Sequence, residues 1–485
     1  MPIKFGTDGW RAIIAEDFTV QNVRYCAQGL ADYLLHKDGG MGGVVIGYDT
    51  RFASERFAVA AAEVMAGNGI KSRLCTSTVP TPVVSFGVQH YHAAGGIVIT
   101  ASHNPPEWNG FKIKDSHGAS APVEIEREIE KRIPDIIDHN QVNSVPLEEG
   151  LRQQTIEYTD LFTEYQGQIG KLVDLQAVRA AGFRVAVDPM FGAGAGYFSR
   201  IIGSADTIVM EIHGERNPCF PGMKQPEPIA SNLGGLSSFV ESNKTDVGLA
   251  TDGDADRIGI IDEKGRPLTP LQIFALLALY LLEVRGQRGA IIRTVTTTRM
   301  VNKLAQMYGV PVFETKVGFK HVAPIMMAEN ALIGGEESSG FGYRGHIPER
   351  DGILSGLFFL DLMAKMNKTP SELIEYLYSL VGPHHYHRAD IHFNPEQRDS
   401  IINQALNMPA FIAGQRVQET KTIDGYHFTL ADGSWLLIRF SGTEPLLRIY
   451  AEAESPQRAR ELVAEGKKLL GIESSNNQLP NSNAK

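Results

Sequence analysis

Three segments of the chain repeat one pattern of apolar and polar positions. In each, a short apolar strand (residues 44–47, 184–187 and 290–293) leads into a polar or glycine-containing loop, and an amphipathic helix and a second strand follow. In the first segment the helix is expected to begin near Ser54. A strand, a helix and a further strand in this order favour parallel strands joined by right-handed crossovers. The pattern therefore predicts three related α/β units.

The last part of the chain carries a different pattern. A small α+β domain is predicted by a strand at 388–393, a helix after Pro395, paired strands at 426–430 and 435–440, a strand at 447–453 and a helix at 456–470. Boundaries are expected in the polar stretch 138–150, near 267–270, where Thr269 can cap a helix that starts at Pro270, and at Gly382-Pro383. The predicted domains are therefore 1–145, 146–267, 268–382 and 383–473, followed by a disordered Asn/Ser-rich tail at 474–485.

Composition and charge narrow the class of protein. The 485 residues are 43% hydrophobic and 21% charged, which is typical of a folded, soluble protein with several domains. The formal net charge of −10 argues against a general nucleic-acid binder, which needs a broad basic surface. A small anionic substrate is still compatible with this charge if cations gather in one cleft. No protein partner is implied.

Cysteine usage and the apolar runs indicate the compartment. Cys26, Cys75 and Cys219 are far apart, so we expect reduced core residues rather than a disulfide framework or a zinc site. The apolar run at 273–282 is too short to span a bilayer, and the start of the chain lacks the features of a signal peptide. These features predict a cytoplasmic protein with no membrane insertion.

The strongest candidate for catalysis is Ser102. A buried-strand run at 96–99 stops at Thr100-Ala101-Ser102-His103-Asn104-Pro105, so the serine hydroxyl is expected at the edge of a sheet, where functional groups of α/β folds collect. The same residues also suit a Ser/Thr or Asx turn closed by proline. Because serine is a weak nucleophile unless a base or a metal activates it, a catalytic role needs partners elsewhere in the chain.

Three carboxylates at alternate positions provide one such partner. Asp252, Asp254 and Asp256 follow the apolar strand 247–250. Carboxylates packed this closely repel one another unless a cation lies among them, and their hard oxygen ligands favour Mg²⁺ or Ca²⁺. The pattern predicts a divalent metal site, with a solvated acidic turn as the plainer alternative.

An EF-hand is the rival interpretation of the acidic cluster, because Glu263 stands at the twelfth position of such a loop. The mechanics oppose it. Arg257 replaces the glycine that the sharp turn of an EF-hand requires, and a strand-like run at 258–261 follows where a helix should begin.

Two further segments have the composition of anion and hydroxyl receptors. Residues 334–340 place Glu337 and Ser339 in a glycine-containing loop. Residues 439–443 read Arg-Phe-Ser-Gly-Thr and are followed by Arg448. This segment combines guanidinium groups, hydroxyls and free backbone N–H groups, which are the donors that a phosphate requires. Each segment alone is a weak signal, since glycine-serine turns are common and strand arginines often lie along the surface.

Together these motifs resemble one family, the α-D-phosphohexomutases, over the chain up to about Ile472. The resemblance is carried by Gly6-Thr7-Asp8-Gly9-Trp10-Arg11, Thr100-Ala101-Ser102-His103-Asn104-Pro105, Asp252-Gly253-Asp254-Ala255-Asp256-Arg257, Gly335-Glu336-Glu337-Ser338-Ser339-Gly340 and Arg439-Phe440-Ser441-Gly442-Thr443, in that order. It implies an α/β fold with three related mixed-sheet domains and a smaller C-terminal α+β domain around a central cleft.

The resemblance also implies the chemistry of the site. Ser102 would carry the transferable phosphoryl group, and Asp252, Asp254 and Asp256 with a phosphate oxygen on Ser102 would hold Mg²⁺. Glucose 1,6-bisphosphate would be the intermediate and activator. Lys112 and His103 match positions that assist proton transfer, although Lys112 also suits a structural cation and His103 a residue that bonds the turn.

The substrate contacts are implied in the same way. Glu337 and Ser339 match the sugar-hydroxyl contacts. The positions that match the distal phosphate site are Arg439, Ser441, Gly442, Thr443 and Arg448. Further matches to cleft positions are Arg11, Arg257, Lys320, His346 and Arg350. Gathering these cations would explain how a net acidic protein binds an anionic hexose phosphate.

The loop at residues 334–340, the sugar loop, departs from one branch of the family. Ser339-Gly340 precedes Phe341 here, whereas phosphoglucosamine mutases and bacterial phosphomannomutase/phosphoglucomutases often have Ser-Gly-His. The loop looks more like the phosphoglucomutase branch, so we expect interconversion of glucose 1-phosphate and glucose 6-phosphate. Mannose, glucosamine or pentose phosphates as substrates, and a glucose 1,6-bisphosphate synthase, are alternatives that the sequence leaves open.

A metal-dependent sugar phosphatase using the same phosphoserine is the alternative from a different class. A mutase needs two positions for phosphate, and the chain supplies both Ser102 and the Arg439 loop. A silent sugar-phosphate sensor is disfavoured by the retention of Ser102, Lys112 and the three carboxylates. The run His384-His385-Tyr386-His387 follows Gly382-Pro383 at a predicted domain junction and is interpreted as a packing or solvated segment rather than a metal site.

Overall fold

The first sheet of the structure, a computed structural model, lies in the N-terminal part of the chain. The structure describes residues 3–6, 8–38, 40–393, 396, 398–407, 409–440 and 446–472. The strands of this part are β1 (Trp10–Ile13), β2 (Val44–Tyr48), β3 (Ser72–Cys75), β4 (Gly95–Ile99), β5 (Trp108–Lys114) and β6 (Ile156–Thr159). The helices are α1 (Val20–Asp38), α2 (Ser54–Gly67), α3 (Thr81–His90), α4 (Val123–Glu130), α5 (Ile133–His139) and α6 (Leu147–Arg152).

The strands of the first sheet lie in the order β1-β5-β4-β2-β3-β6. β2 and β4 are buried along their whole length and pair in parallel, as expected for strands covered by helices on both faces. β5 pairs antiparallel with β4, which makes the sheet mixed. β6 pairs with β3, so this sheet extends past the predicted domain boundary at residue 145. The polar stretch 138–150, which predicts that boundary, therefore connects two strands of one sheet rather than two separate sheets.

The second sheet carries the acidic loop. Its elements are α7 (Phe162–Leu172), α8 (Leu175–Ala180), β7 (Arg184–Asp188), α9 (Tyr197–Ile202), β8 (Ile208–Glu211), α10 (Gly234–Asn243), β9 (Val247–Thr251) and β10 (Ile258–Ile261), with strand order β10-β9-β7-β8. β7 pairs in parallel with β8 and β9, as predicted. β9 and β10 form an antiparallel pair, with Asp252, Asp254 and Asp256 in the connecting loop. A strand follows the acidic loop, which confirms that it is not an EF-hand.

The third sheet repeats the arrangement. Its elements are α11 (Pro270–Leu279) with a π-helical continuation (Tyr280–Val284), β11 (Ile291–Thr294), α12 (Met300–Tyr308), β12 (Val312–Thr315), α13 (Phe319–Ala328), β13 (Ile333–Gly335), β14 (Phe341–Tyr343), α14 (Gly352–Met366) and α15 (Pro370–Val381), with strand order β12-β11-β13-β14. Thr269 caps α11 through a capping box with Gln272, as its position before Pro270 predicted.

The fourth sheet is antiparallel and lies in the C-terminal part. Its elements are β15 (His385–His392), α16 (Arg398–Leu406), β16 (Phe411–Ile412), β17 (Gln415–Lys421), β18 (Tyr426–Leu430), β19 (Trp435–Phe440), β20 (Leu446–Ala453) and α17 (Pro456–Leu469), with strand order β15-β20-β19-β18-β17-β16. The predicted pairing of 426–430 with 435–440 is confirmed. The predicted tail 474–485 lies outside the described residues.

The cores show how the sheets are joined. One apolar cluster runs continuously from Val45 through Phe198 to Leu357 and so connects the first three sheets. The fourth sheet has a core of its own, which includes Leu447 and Leu462. It meets the third through a small cluster of Val295, Trp435, Leu437 and Tyr450. The C-terminal sheet is therefore the more independent body of the fold.

Two of the three cysteines lie in apolar cores. Cys26 and Cys75 are buried free thiols, as predicted, but Cys219 is exposed because it lies in the loop after β8 rather than in a core. Across the described residues, no helix is both long enough and apolar enough to cross a lipid bilayer.

Candidate active site

Ser102 lies just beyond the end of β4, buried and with its backbone in the left-handed region at φ 52°. A positive φ is uncommon for serine and is often found where a residue is held for function. Its Oγ donates to Asp252 Oδ2 at 2.9 Å and lies 3.2 Å from His103 Nδ1. Its backbone N–H donates to Thr100 Oγ1 at 2.8 Å. The turn therefore aims the serine hydroxyl at the acidic loop of the second sheet.

Arg51 holds this turn in place. Its Nη2 donates to the carbonyls of Ser102 and Asn104 at 2.7 and 2.5 Å, and its Nη1 donates to those of Pro105 and Trp108 at 2.8 and 3.0 Å. The guanidinium has no exposed surface, and its Nε lies 3.2 Å from Asp49 Oδ2. One buried side chain thus satisfies four loop carbonyls, as only a forked guanidinium can.

The acidic loop has the geometry of a metal site. Asp252, Asp254 and Asp256 are fully buried, and one oxygen from each lies within 4.8 Å of the others. Asp254 Oδ1 and Asp256 Oδ1 are buried without a hydrogen-bond donor. Burial, followed by the charges of Asp256 and Asp254, raises the pKa of Asp252 well above its usual range. Crowded, under-satisfied carboxylate oxygens fit a hard divalent cation such as Mg²⁺.

Two cations border the acidic loop. Lys112 Nζ lies 2.8 Å from Asp254 Oδ2 and 2.6 Å from Asp8 Oδ2. Burial alone would lower the pKa of Lys112, but Asp254 and then Asp8 raise it above its ordinary value, so the amine is protonated. Arg350 Nη2 lies 2.8 Å from Asp256 Oδ2 and 3.0 Å from Asp8 Oδ2. Asp8 therefore ties a cation of the first sheet to one that follows the third.

His103 and Arg257 complete the surroundings of Ser102. The backbone N–H of Arg257 donates to Asp252 Oδ1 at 3.2 Å, and its guanidinium pairs with Glu227 at 2.8 Å. Burial, and then the charges of Arg257 and Arg11, lower the pKa of His103 well below its usual value. A neutral imidazole beside Ser102 Oγ is able to accept a proton.

Three predicted substrate contacts lie around the same loops. Arg11 Nη1 donates to Asn104 Oδ1 at 2.6 Å, which brings it to the serine turn. Ser339 is buried with φ 66°, and its carbonyl accepts from the N–H of Ile258 at 3.1 Å, so the sugar loop abuts the strand after the acidic loop. Lys320 Nζ donates to the carbonyl of Gly6 at 2.9 Å and links the first and third sheets.

His346 is bonded to a buried carboxylate. Its imidazole has no exposed surface, and its Nε2 lies 2.8 Å from Asp351 Oδ2, which also accepts from the hydroxyl of Tyr165. The contacts of the imidazole are with Asp351 and, ring to ring at 6.1 Å, with Tyr165. The cleft position that the resemblance implies for His346 stays a prediction.

The C-terminal sheet presents the second cationic site. Arg439 on β19 and Arg448 on β20 are directly opposite one another in the strand register. Arg439 Nε donates to Asp424 Oδ2 at 2.9 Å, and Arg448 Nε lies 3.6 Å from Asp390 Oδ2. Two facing guanidiniums suit a phosphate dianion. Ser441, Gly442 and Thr443, which were predicted for the same site, lie outside the described residues.

Glu337 of the sugar loop reaches this C-terminal sheet. Its Oε1 accepts from the hydroxyl of Tyr386 at 3.0 Å and from Arg388 Nη1 at 3.3 Å. In the same segment His384 Nδ1 lies 2.7 Å from Glu452, a carboxylate distant in sequence. Within the described residues, only the acidic triad brings three metal-ligating groups close enough together to hold an ion.

Sequence reasoning missed several members of the site. Asp8 lies in the first motif of the resemblance and Arg51 follows the first predicted strand, but no local pattern gives either residue a role. Thr81 also escaped notice, although its Oγ1 donates to Asp254 Oδ2 at 2.5 Å. The one local signal was Asp49-Thr50-Arg51 at the end of a buried strand, a charged pair where α/β folds collect functional groups.

Four sequence profiles of one protein family match the chain, in the same order as its four sheets. Sequence profiles of the phosphoglucomutase/phosphomannomutase family match residues 2–139 with α/β/α domain I, 163–265 with domain II, 269–381 with domain III and 400–468 with the C-terminal domain. Each matched range contains one of the four sheets or most of its strands. The fold class predicted from the sequence, with three related mixed-sheet domains and a smaller C-terminal one, is confirmed.

Individual proteins match over nearly the whole chain. The chain is 32% identical over 470 residues to a phosphoglucomutase/phosphomannomutase of Thermococcus kodakarensis, covering 96% of this chain and 98% of that protein. It is 30% identical over 481 residues to a phosphoglucosamine/phosphogalactosamine mutase of Sulfurisphaera tokodaii, covering 96% and 98%. A crystal structure from Thermus thermophilus, described as a phosphomannomutase, matches with a TM-score of 0.84 at 34% identity, covering 97% of this chain and 99% of that one. The chain belongs to the phosphoglucomutase/phosphomannomutase family, the α-D-phosphohexomutases, which are isomerases that transfer a phosphoryl group on a hexose phosphate.

Proposed function

We propose that this enzyme interconverts glucose 1-phosphate and glucose 6-phosphate through a phosphorylated Ser102 and a glucose 1,6-bisphosphate intermediate. The observation that carries the proposal is the hydrogen bond of 2.9 Å from Ser102 Oγ to Asp252, which joins the serine to the acidic triad. A site for phosphoryl transfer needs an acceptor oxygen beside a place where charge on the phosphoryl group is offset. Ser102 supplies the oxygen, and Mg²⁺ held by the acidic triad would offset the charge.

The transfer can be written with these side chains. The bond between Ser102 Oγ and phosphorus breaks as a sugar hydroxyl oxygen bonds to phosphorus, and the proton lost by that hydroxyl balances the proton gained by the serine. His103, with Nδ1 at 3.2 Å from Ser102 Oγ, is the group placed to carry it. Bound Mg²⁺, held by Asp252, Asp254 and Asp256, would offset the charge of the phosphoryl group.

Lys112 takes a different role in this proposal from the proton transfer expected of it. Its amine contacts Asp8, Asp254 and Asp256 rather than Ser102. A protonated amine held by carboxylates stabilises negative charge without exchanging its proton. We therefore assign it to the electrostatics of the acidic loop.

A mutase needs a second position for phosphate, because the sugar must present one phosphate while the other is anchored. The facing guanidiniums of Arg439 and Arg448 supply it, and Glu337 and Ser339 lie on the loop between the two sites. A phosphatase has no use for that anchor, since water attacks without any reorientation of the sugar. The second cationic site therefore favours the mutase.

The choice of glucose rests on the sugar loop. The position after Ser339-Gly340 is the one that separates the two branches in the resemblance, and there Phe341 is buried and stacks on Phe274 with ring centroids 5.4 Å apart. This position offers no polar group to a substrate. Phosphomannose and phosphoglucosamine are the second candidates, because relatives named for those sugars match the chain end to end. Synthesis of glucose 1,6-bisphosphate uses the same site with another donor.

The proposed compartment is the cytoplasm. The thiols of Cys26, Cys75 and Cys219 are free, which suits a reducing environment.

A side-by-side assay tests the substrate. Glucose 1-phosphate, mannose 1-phosphate and glucosamine 1-phosphate are compared at equal concentration with Mg²⁺ and a trace of the matching bisphosphate. We expect the highest kcat/KM with glucose 1-phosphate. A higher value with either of the other sugars would overturn the choice of glucose and leave the mutase chemistry standing.

A further inference from the structure

One strand of the C-terminal sheet faces both halves of the proposed substrate site. Alternate residues of β15 share a face of the sheet, so Tyr386, Arg388 and Asp390 point the same way. Tyr386 and Arg388 both donate to Glu337, and both bonds end on Oε1. Neither bond engages the second carboxylate oxygen. The sugar loop is thus held by the domain that also carries the phosphate anchor.

Arg388 also binds the carboxylate of Asp390, which lies beside the phosphate anchor formed by Arg439 and Arg448. Its Nε donates to Asp390 Oδ1 at 2.6 Å and its Nη2 donates to Asp390 Oδ2 at 2.7 Å, a forked pair. Asp390 lies opposite Arg448 in the strand register, yet Arg448 Nε is 3.6 Å from the same Oδ2. Asp390 therefore has two guanidiniums within reach and is bonded closely to Arg388.

We propose that Arg388 is a positioning residue that serves both ends of the substrate. It fixes the orientation of Glu337 towards the sugar hydroxyl. It also bonds Asp390 and so prevents a close ion pair between Asp390 and Arg448, which leaves the Arg448 guanidinium available to the distal phosphate. The inference rests on the proposed function, since it takes Glu337 and Arg448 as substrate contacts. It assigns β15, the strand that begins within the histidine run, a part in binding.

The inference predicts two separable effects of Arg388→Gln. Without the guanidinium, Glu337 loses a donor, and Asp390 is free to close on Arg448. We expect the KM for glucose 1-phosphate to rise about tenfold, the worth of one charge-assisted hydrogen bond, with kcat changed much less. Inorganic phosphate, measured as a competitive inhibitor, should bind about tenfold more weakly for the second reason.

Two further variants separate the effects. Arg388→Gln with Asp390→Asn removes the carboxylate that would close on Arg448, so inhibition by phosphate should recover while the KM recovers only in part. Tyr386→Phe removes one bond to Glu337 and leaves Asp390 and Arg448 untouched, so the KM should rise with no change in phosphate inhibition. Arg416→Gln, at an exposed position of β17, is the matched control and should behave as the unmodified enzyme.

The outcomes are decisive in either direction. Unchanged phosphate inhibition in Arg388→Gln, or no recovery when Asp390→Asn is added, overturns the part of the proposal that concerns the anchor. A KM that recovers fully in the double variant overturns the part that concerns the sugar loop, because Glu337 still lacks the bond from Arg388 in that variant. Turnover of glucose 1-phosphate by the unmodified enzyme tests the proposed function separately. Normal turnover with these negative results would reject only this inference.

Discussion

Replacement of Arg51 by methionine should disable the enzyme although Arg51 is not proposed to touch the substrate. The side chain is fully buried, donates to four carbonyls of the turn from Ser102 to Trp108, and pairs with the buried carboxylate of Asp49. Methionine keeps much of the volume and removes the charge and all five donors. The turn then loses the group that fixes the position of Ser102.

The magnitude follows from these contacts. Removing one partner of a buried ion pair costs about 3–5 kcal/mol, because the other charge is left uncompensated. Each hydrogen bond to a charged group contributes roughly 1.5–3 kcal/mol, but water refilling the site restores part of the four carbonyl bonds. We expect a local destabilisation of about 3–5 kcal/mol. A reacting group misplaced by about 1 Å costs on the order of a hundredfold in rate.

The assay compares Arg51→Met with Arg56→Met, an exposed arginine on the adjacent helix α2. We expect kcat with glucose 1-phosphate to fall at least about a hundredfold in the first and to be unchanged in the second. Hydrogen exchange at residues 101–108 should accelerate in Arg51→Met alone. Native kcat together with native exchange in Arg51→Met would refute the reasoning, because the turn would then hold its shape without the guanidinium.

Three further predictions test the metal site, the phosphate anchor and the stability of the C-terminal domain. Removal of divalent metal should abolish turnover, and Mg²⁺ should restore it better than Zn²⁺. Asp254→Asn should lower kcat far more than it raises KM. Full activity in the presence of a chelator would show that the acidic loop has only a structural role. Arg448→Ala should raise the KM for glucose 1-phosphate about ten- to a hundredfold and make turnover depend on added glucose 1,6-bisphosphate, because the intermediate escapes; turnover that is indifferent to the bisphosphate would contradict this. Burial, and then Arg293, lower the pKa of His427 to about 4. The unfolded chain therefore takes up a proton below about pH 6.5 that the folded state refuses, and stability falls as the pH drops from 6.5 towards 4. His427→Phe, which keeps the stacking on Trp435, should remove about 2–3 kcal/mol of this loss at pH 4.5 in urea unfolding, and an equal loss in both proteins would contradict the assignment.

Local patterns predicted the framework well because they depend on neighbouring residues. The capping box at Thr269 and the strands around the acidic loop follow from short-range chemistry, and the structure reproduces them. The acidic triad was equally accessible, because three carboxylates at alternate positions force a metal hypothesis regardless of the fold.

The rest of the site depends on contacts that no local pattern encodes. Arg51 reads as an ordinary loop arginine until the fold brings the carbonyls of residues 102–108 around it. His346 matches a motif, but the Tyr165 ring that packs against it lies far away in the chain. The carboxylate bonded to His384 belongs to Glu452, which faces it across the C-terminal sheet. Each of these results comes from tertiary packing over long separations in the chain.

The most direct test of the mutase mechanism is one reaction in which glucose 6-phosphate and inorganic phosphate are measured together. The unmodified enzyme receives glucose 1-phosphate, Mg²⁺ and a trace of glucose 1,6-bisphosphate, and Ser102→Ala is run beside it. We expect glucose 6-phosphate in step with the loss of glucose 1-phosphate, no inorganic phosphate, and no product from Ser102→Ala. Release of one inorganic phosphate for each glucose 1-phosphate consumed, or normal turnover by Ser102→Ala, would contradict the mutase mechanism.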